Sequence, residues 1–160
     1  MSSPLHAYLN NHLAGSVLAL ELMEHAIKRD GDEPVKAPYA ELLPEIQADQ
    51  AVLQELIERL DARESRTKKA AAWLSEKLSR LHRDWSDDPE KVGLIRMEEA
   101  EMLGLGILGK RALWVALRTL AGNHAALGTL EYDSLIARAE EQFNTVEQFR
   151  QELAKSVLSD

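Results

Sequence analysis

The sequence contains no cysteine and few residues of the kinds that interrupt helices. The absence of cysteine excludes disulfides, thiolate metal ligands and a cysteine nucleophile. It is also consistent with a cytoplasmic location, which we expect. Only five prolines occur in 160 residues, and the aromatic residues are limited to three Trp, three Tyr and two Phe. The chain is long enough to form a stable hydrophobic core without added disulfides or metals.

Positive charge is also scarce, because 19 Lys and Arg residues face 27 Asp and Glu residues and give a net charge of −8. This balance disfavours nucleic acid, whose binding depends on cations that meet phosphates. It equally disfavours an anionic membrane surface. The longest strongly apolar run, at 112–117, lies between Arg111 and Arg118, far short of the roughly 20 residues of a membrane span. No Lys or Arg precedes Lys28, so a secretory signal is not predicted.

Apolar residues recur at helical spacing along most of the chain, and no segment alternates as a strand would. The pattern predicts a first helix at 4–29 and a second at 39–63, the first capped by Ser3. A shorter basic helix is expected at 67–83. The start signal Asp88-Pro89-Glu90 introduces a long helix at 90–121, and Thr129 is expected to cap a last helix at 129–157.

The helix at 90–121 is apolar almost all round, which is typical of a central helix with neighbours on several sides. Leu105 is therefore expected to be buried. Gly104, Gly106 and Gly109 each cost about 1 kcal/mol of helix propensity relative to Ala, so we expect another backbone to approach closely there. Two acids within the apolar pattern, Glu98 and Glu101, are expected to point inward.

The short links place the first and second helices, and the last two, in antiparallel hairpins. The helix between the second and third long helices returns the chain along the bundle. The predicted fold class is therefore all-α, a single domain over 1–160. Its architecture is a ferritin-like four-helix bundle with a shorter crossover helix between the second and third long helices.

Four segments also resemble a group of uncharacterised bacterial ferritin-like helical-bundle proteins. They are NHLAGSVLALEL, EIQADQAVLQEL, AAAWLSEKLSRL and EMLGLGILGKRALW, and together with their flanks they cover most of the chain. The resemblance implies the ferritin-like fold. It implies no particular activity.

Three acids are candidates for a metal site. With a turn near residues 34 and 35, Glu21 lies opposite Asp49, and Glu101 lies at a similar depth in its own helix. His25 is one turn from Glu21, and Glu98 is about one turn from Glu101. Carboxylate and imidazole groups are suitable ligands for iron or manganese. If no metal is bound, a buried Asp49 or Glu101 requires a cationic or hydrogen-bonding partner, or must be protonated.

The ligand set is incomplete by the standard of ferritin-like di-iron proteins, which carry a Glu-x-x-His motif on each of two helices. No such motif occurs in the chain, and the last helix offers Thr145, Gln148 and Phe149 at the relevant height. A degenerate site without metal is the simpler interpretation.

These observations leave two functional hypotheses. The first is a non-catalytic ferritin-like bundle without a cofactor that acts through self-association, as a homodimer, or through binding a small-molecule ligand. The alternative is a divergent di-metal carboxylate protein with redox or metal-handling activity, which would use Glu21, Asp49 and Glu101 with iron or manganese. No catalytic residues are predicted, and an enzyme is the less favoured hypothesis.

Overall fold

Four long helices form the part of the chain that the computed structural model describes, which is residues 3–30, 38–62, 72, 76 and 89–159. They are α1 (Pro4–Asp30), α2 (Tyr39–Arg59), α3 (Pro89–Leu120) and α4 (Tyr132–Val157), with a 3-10 turn at Ala121–Asn123. These residues contain no strand, as predicted. The predicted helix at 67–83 lies outside them, apart from positions 72 and 76. No helix in these ranges is both long and apolar enough to span a membrane.

Local hydrogen bonds explain where the helices begin and end. The predicted cap of α1 is confirmed, since Ser3 Oγ accepts a hydrogen bond from the His6 N–H at 3.2 Å. Helix α2 stops before the predicted residue 63, because Asp61 adopts a φ of 50°, which no α-helix continues through. The predicted Thr129 cap is wrong: α4 begins at Tyr132 and its N-cap residue makes no side-chain cap.

The members of two apolar clusters show in which direction each helix runs. One cluster joins the end of α1, the start of α2, the start of α3 and the end of α4 (Met23, Ala26, Leu42, Ile46, Met97, Ala100, Phe149, Leu153). The other joins the opposite four ends (Leu9, Leu53, Leu56, Leu113, Leu117, Tyr132, Leu135). Helices α2 and α3 therefore run parallel, as predicted, and α1 and α4 run opposite to both. The chain changes ends of the bundle between α2 and α3.

Helix α3 packs against α1 and α4 but is not covered on all sides. Leu103 and Ile107 are buried, while Met102, Leu105 and Leu108 are 38%, 70% and 41% exposed. The prediction that Leu105 is buried is wrong. A helix at the corner of a bundle meets its neighbours on one side only, so its outer face stays in solvent even where the residues are apolar.

Candidate functional site

A cavity of about 400 Å³ lies between α1, α2 and α3. Most of its wall is apolar, formed by side chains from all three helices (Ala19, Ile46, Leu53, Leu103, Ile107, Leu113, Trp114). A smaller set of polar side chains also lines it (Asn11, His12, Ser16, Asp49, Gln50, Lys110). A concave apolar wall with a few polar groups is the usual composition of a small-molecule site.

Three glycines keep this cavity open. Gly15 on α1 and Gly106 and Gly109 on α3 line it, and a Cβ atom at each position would meet nothing within 4 Å. At Gly104 a Cβ would meet only the Phe143 side chain, at 3.5 Å. The prediction that another backbone approaches these three α3 glycines is therefore wrong. Gly106 and Gly109 instead leave a volume that larger side chains would fill.

Asp49 forms the polar end of the cavity and is only 1% exposed. Lys110 Nζ donates to its Oδ2 at 2.5 Å, and the Arg138 guanidinium donates to its Oδ1. Lys110 also donates to Gln142 Oε1, and Gln142 Nε2 donates to Glu45 Oε2 at 3.0 Å. The requirement for a cationic partner is confirmed for Asp49, because two cations share its carboxylate.

Burial and neighbouring negative charge shift the pKa of Lys110 in opposite directions. Desolvation lowers the pKa of Lys110 below its usual value, and the attraction of Asp49 offsets this shift only in part. An ammonium group has three N–H donors, and two of them are used by Asp49 and Gln142. Trp114 lies one turn further along α3, and its buried Nε1–H has no acceptor among the described residues.

His12 lies on the α1 wall of the cavity, half-buried and in edge contact with Tyr8, with ring centroids 4.6 Å apart. Burial lowers the pKa of His12, so its imidazole is neutral near pH 7. Close by along α1, Ser16 Oγ accepts a hydrogen bond from Gln50 Nε2 at 2.9 Å and donates to the Leu13 carbonyl at 2.7 Å. The α1 wall is thus polar but uncharged.

The three predicted metal ligands lie in different environments. Asp49 is buried, Glu21 is exposed, and the Glu101 side chain is 46% exposed with Arg150 at 3.4 Å. Across residues 3–30, 38–62 and 89–159, no group of three or more His, Asp or Glu side chains could hold a metal ion. The structure does not bring Glu21 and Glu101 to the Asp49 carboxylate.

The buried acid of α3 is Glu99, and not the predicted Glu98 or Glu101. Arg29 donates to both oxygens of Glu99, at 2.8 and 2.9 Å. Asp30 accepts from the same guanidinium at 2.8 Å and from Arg96 at 3.2 Å. This network joins the end of α1 to the first part of α3, away from the cavity.

Comparison with known proteins identifies no significant relative of this chain. No protein-family model matches the chain, and neither the curated proteins nor the solved structures contain a significant match. The function has to be argued from the cavity and the residues that line it.

Proposed function

We propose that the protein is a non-catalytic, ferritin-like helical bundle that binds a small, mostly apolar organic molecule between α1, α2 and α3. The observation that carries this proposal is the glycine-lined cavity. Its volume of about 400 Å³ falls within the usual range for small-molecule sites, roughly 300–1,000 Å³.

The glycines are better explained by a ligand-binding site than by accidental loose packing of the helices. Gly106 and Gly109 lie inside α3, where glycine costs roughly 0.5–1 kcal/mol relative to alanine. Alanine would fit at each position without a clash. A sequence selected for stability alone gains by filling such sites, whereas a binding site has to keep them empty. The glycines thus favour a cavity that is retained for an occupant.

The helix directions support the ferritin-like part of the proposal. Parallel α2 and α3, with α1 and α4 opposite to them, match a bundle with one long crossover connection. The non-catalytic part rests on Ser16, the serine in the cavity wall. It donates to the carbonyl of Leu13 in its own helix, and so it is not activated by a base.

Titration with N-phenyl-1-naphthylamine, an uncharged fluorescent probe, tests the proposal. We expect saturable binding by the wild type and loss of binding in Gly106→Leu, whose side chain would occupy the cavity. Ala112→Leu is the matched control, because it adds a similar volume to the same helix at an exposed position outside the cavity. Equal probe binding by both variants, with both proteins folded, would contradict a site in this cavity.

A further inference from the structure

We infer that the molecule bound in this cavity is an apolar carboxylate, whose head group lies against Lys110 and Trp114. The inference rests on the proposed function and specifies the chemical class of its ligand. It starts from two N–H groups, Lys110 Nζ–H and Trp114 Nε1–H, that lack acceptors within the described residues.

Helix geometry places both donors on one side of α3. Gly106, Lys110 and Trp114 are spaced four residues apart, so they follow one another along the same face. All three line the cavity. Gly106 leaves open space one turn before the ammonium, and Trp114, which is only 1% exposed, forms part of the wall one turn after it. A ligand in the cavity therefore meets an amine flanked by free volume and by an aromatic ring.

The missing partner is an acceptor, because both unsatisfied groups can only donate. A buried donor without an acceptor costs about 1–3 kcal/mol, and a carboxylate has two oxygens with room for several donors. One carboxylate has enough oxygens for both groups, and its bond from Lys110 is charge-assisted. An ammonium ligand brings further donors and leaves both groups unsatisfied.

Charge balance favours an anion over a neutral acceptor. The cluster at the polar end of the cavity contains two cations, Lys110 and the partly exposed Arg138, and one buried anion, Asp49. Asp49 Oδ1 and Oδ2 are already bound by these cations, which neutralises its repulsion of a second carboxylate. Glu45 adds a negative charge through Gln142, but Glu45 is exposed, and water screens it. His12, which also lies on the cavity wall, is neutral near pH 7.

Four naphthalene probes with one apolar body and different heads provide the test: 2-naphthoate, 2-naphthamide, 2-methylnaphthalene and 2-naphthylmethylammonium. Their dissociation constants are measured by calorimetry on the wild-type chain at pH 7. We expect 2-naphthoate to bind about tenfold or more tightly than 2-methylnaphthalene, which is the gain from one charge-assisted hydrogen bond. The amide should fall between them, and the ammonium should bind most weakly.

Lys110→Met should abolish the preference for 2-naphthoate while it retains binding of 2-methylnaphthalene. Lys155→Met, which removes an exposed lysine of α4, is the matched control and should keep the preference. If Lys110→Met does not fold, Trp114→Phe replaces it, because it deletes the indole N–H donor together with the five-membered ring. The smaller ring affects both probes, so 2-methylnaphthalene serves as the reference, and the preference for 2-naphthoate over it should fall.

The outcomes separate this inference from the proposed function. Equal affinity for 2-naphthoate and 2-methylnaphthalene overturns the carboxylate and leaves the apolar site intact. An amide that binds as tightly as the carboxylate also overturns the inference, because charge then contributes nothing. If none of the four probes binds, the proposed function fails and the inference fails with it.

Discussion

Lys110 Nζ lies 2.5 Å from Asp49 Oδ2 and joins α3 to α2 at the wall of the cavity. Asp49→Asn should destabilise the fold, because it leaves Lys110 and Arg138 without a counter-charge. Breaking a buried ion pair from one side costs about 3–5 kcal/mol. We expect the lower part of that range, about 3 kcal/mol, since Arg138 is partly exposed and water can solvate it. Chemical denaturation of both proteins measures the difference.

Two controls make this measurement specific. Glu21→Gln changes an exposed acid of α1 and should shift stability by less than about 0.5 kcal/mol. The cost of Asp49→Asn should also be the same with and without a chelator, because the partners of Asp49 are side chains of the protein. A cost that disappears when a chelator is present would instead identify Asp49 as a metal ligand.

Truncation of Leu103 should lower stability much more than truncation of Leu105. Leu105 is 70% exposed and Leu103 is 2% exposed, although they are two residues apart on α3. Leu103→Ala should cost about 2–5 kcal/mol through lost burial and a new cavity, whereas Leu105→Ala should change stability by less than about 0.5 kcal/mol. Thermal melting of the two variants distinguishes them. A large loss at Leu105 would show that its face is covered in solution.

Alanine substitutions at two glycines of α3 should change stability in opposite directions. Gly109→Ala should raise the stability of the ligand-free protein by about 0.5–1 kcal/mol, since the new Cβ meets nothing within 4 Å. Gly93→Ala should lower it, because its Cβ would come within 2.8 Å of Val157 Cγ2. Melting temperatures that rise by the same amount in both variants would show that α4 does not pack on α3 at Gly93.

His12 should make stability depend on mildly acidic pH. Burial lowers the pKa of His12 from 6.5, so the unfolded chain binds the proton more readily than the folded protein. The stability contribution is thus complete above pH 6.5 and is lost as pH falls through the folded value. Between pH 8 and pH 5 the unfolding free energy of wild type should fall more steeply than that of His12→Gln. His124→Gln, the exposed control, should keep the pH dependence of wild type.

Helix content and direction could be predicted from the sequence because they depend on local signals and chain connectivity. The capping Ser3 and the Pro89 start signal each agree with the structure to within a residue. The start of α4 could not be predicted in the same way. Thr129 has the chemistry of a cap, but its hydroxyl is engaged in the preceding turn with the Ala126 carbonyl and receives a bond from Arg59.

The site was harder to predict, because an almost entirely apolar helix hides which of its sides is buried. Glu101 has Met97 and Leu105 four residues away on either side and still faces outward. The informative spacing was Leu103, Lys110 and Leu117, seven residues apart, which places a lysine in phase with two buried leucines. Glu99, four residues before Leu103, belongs to the same face. The cavity depends on three helices meeting, which no pattern along a single helix specifies.

Polar contacts hold α1 near both of its ends, and in between the Ser16–Gln50 hydrogen bond joins it to α2. Near its start, Asn10 Nδ2 donates to the Ala62 carbonyl at 2.6 Å, and near its end Arg29 donates to Glu99 at 2.8 Å. Between these anchors α1 runs along the cavity past Gly15, where a Cβ would meet nothing within 4 Å. Because neither Asn10 nor Arg29 lines the cavity, a ligand that binds there leaves both anchors of α1 in place.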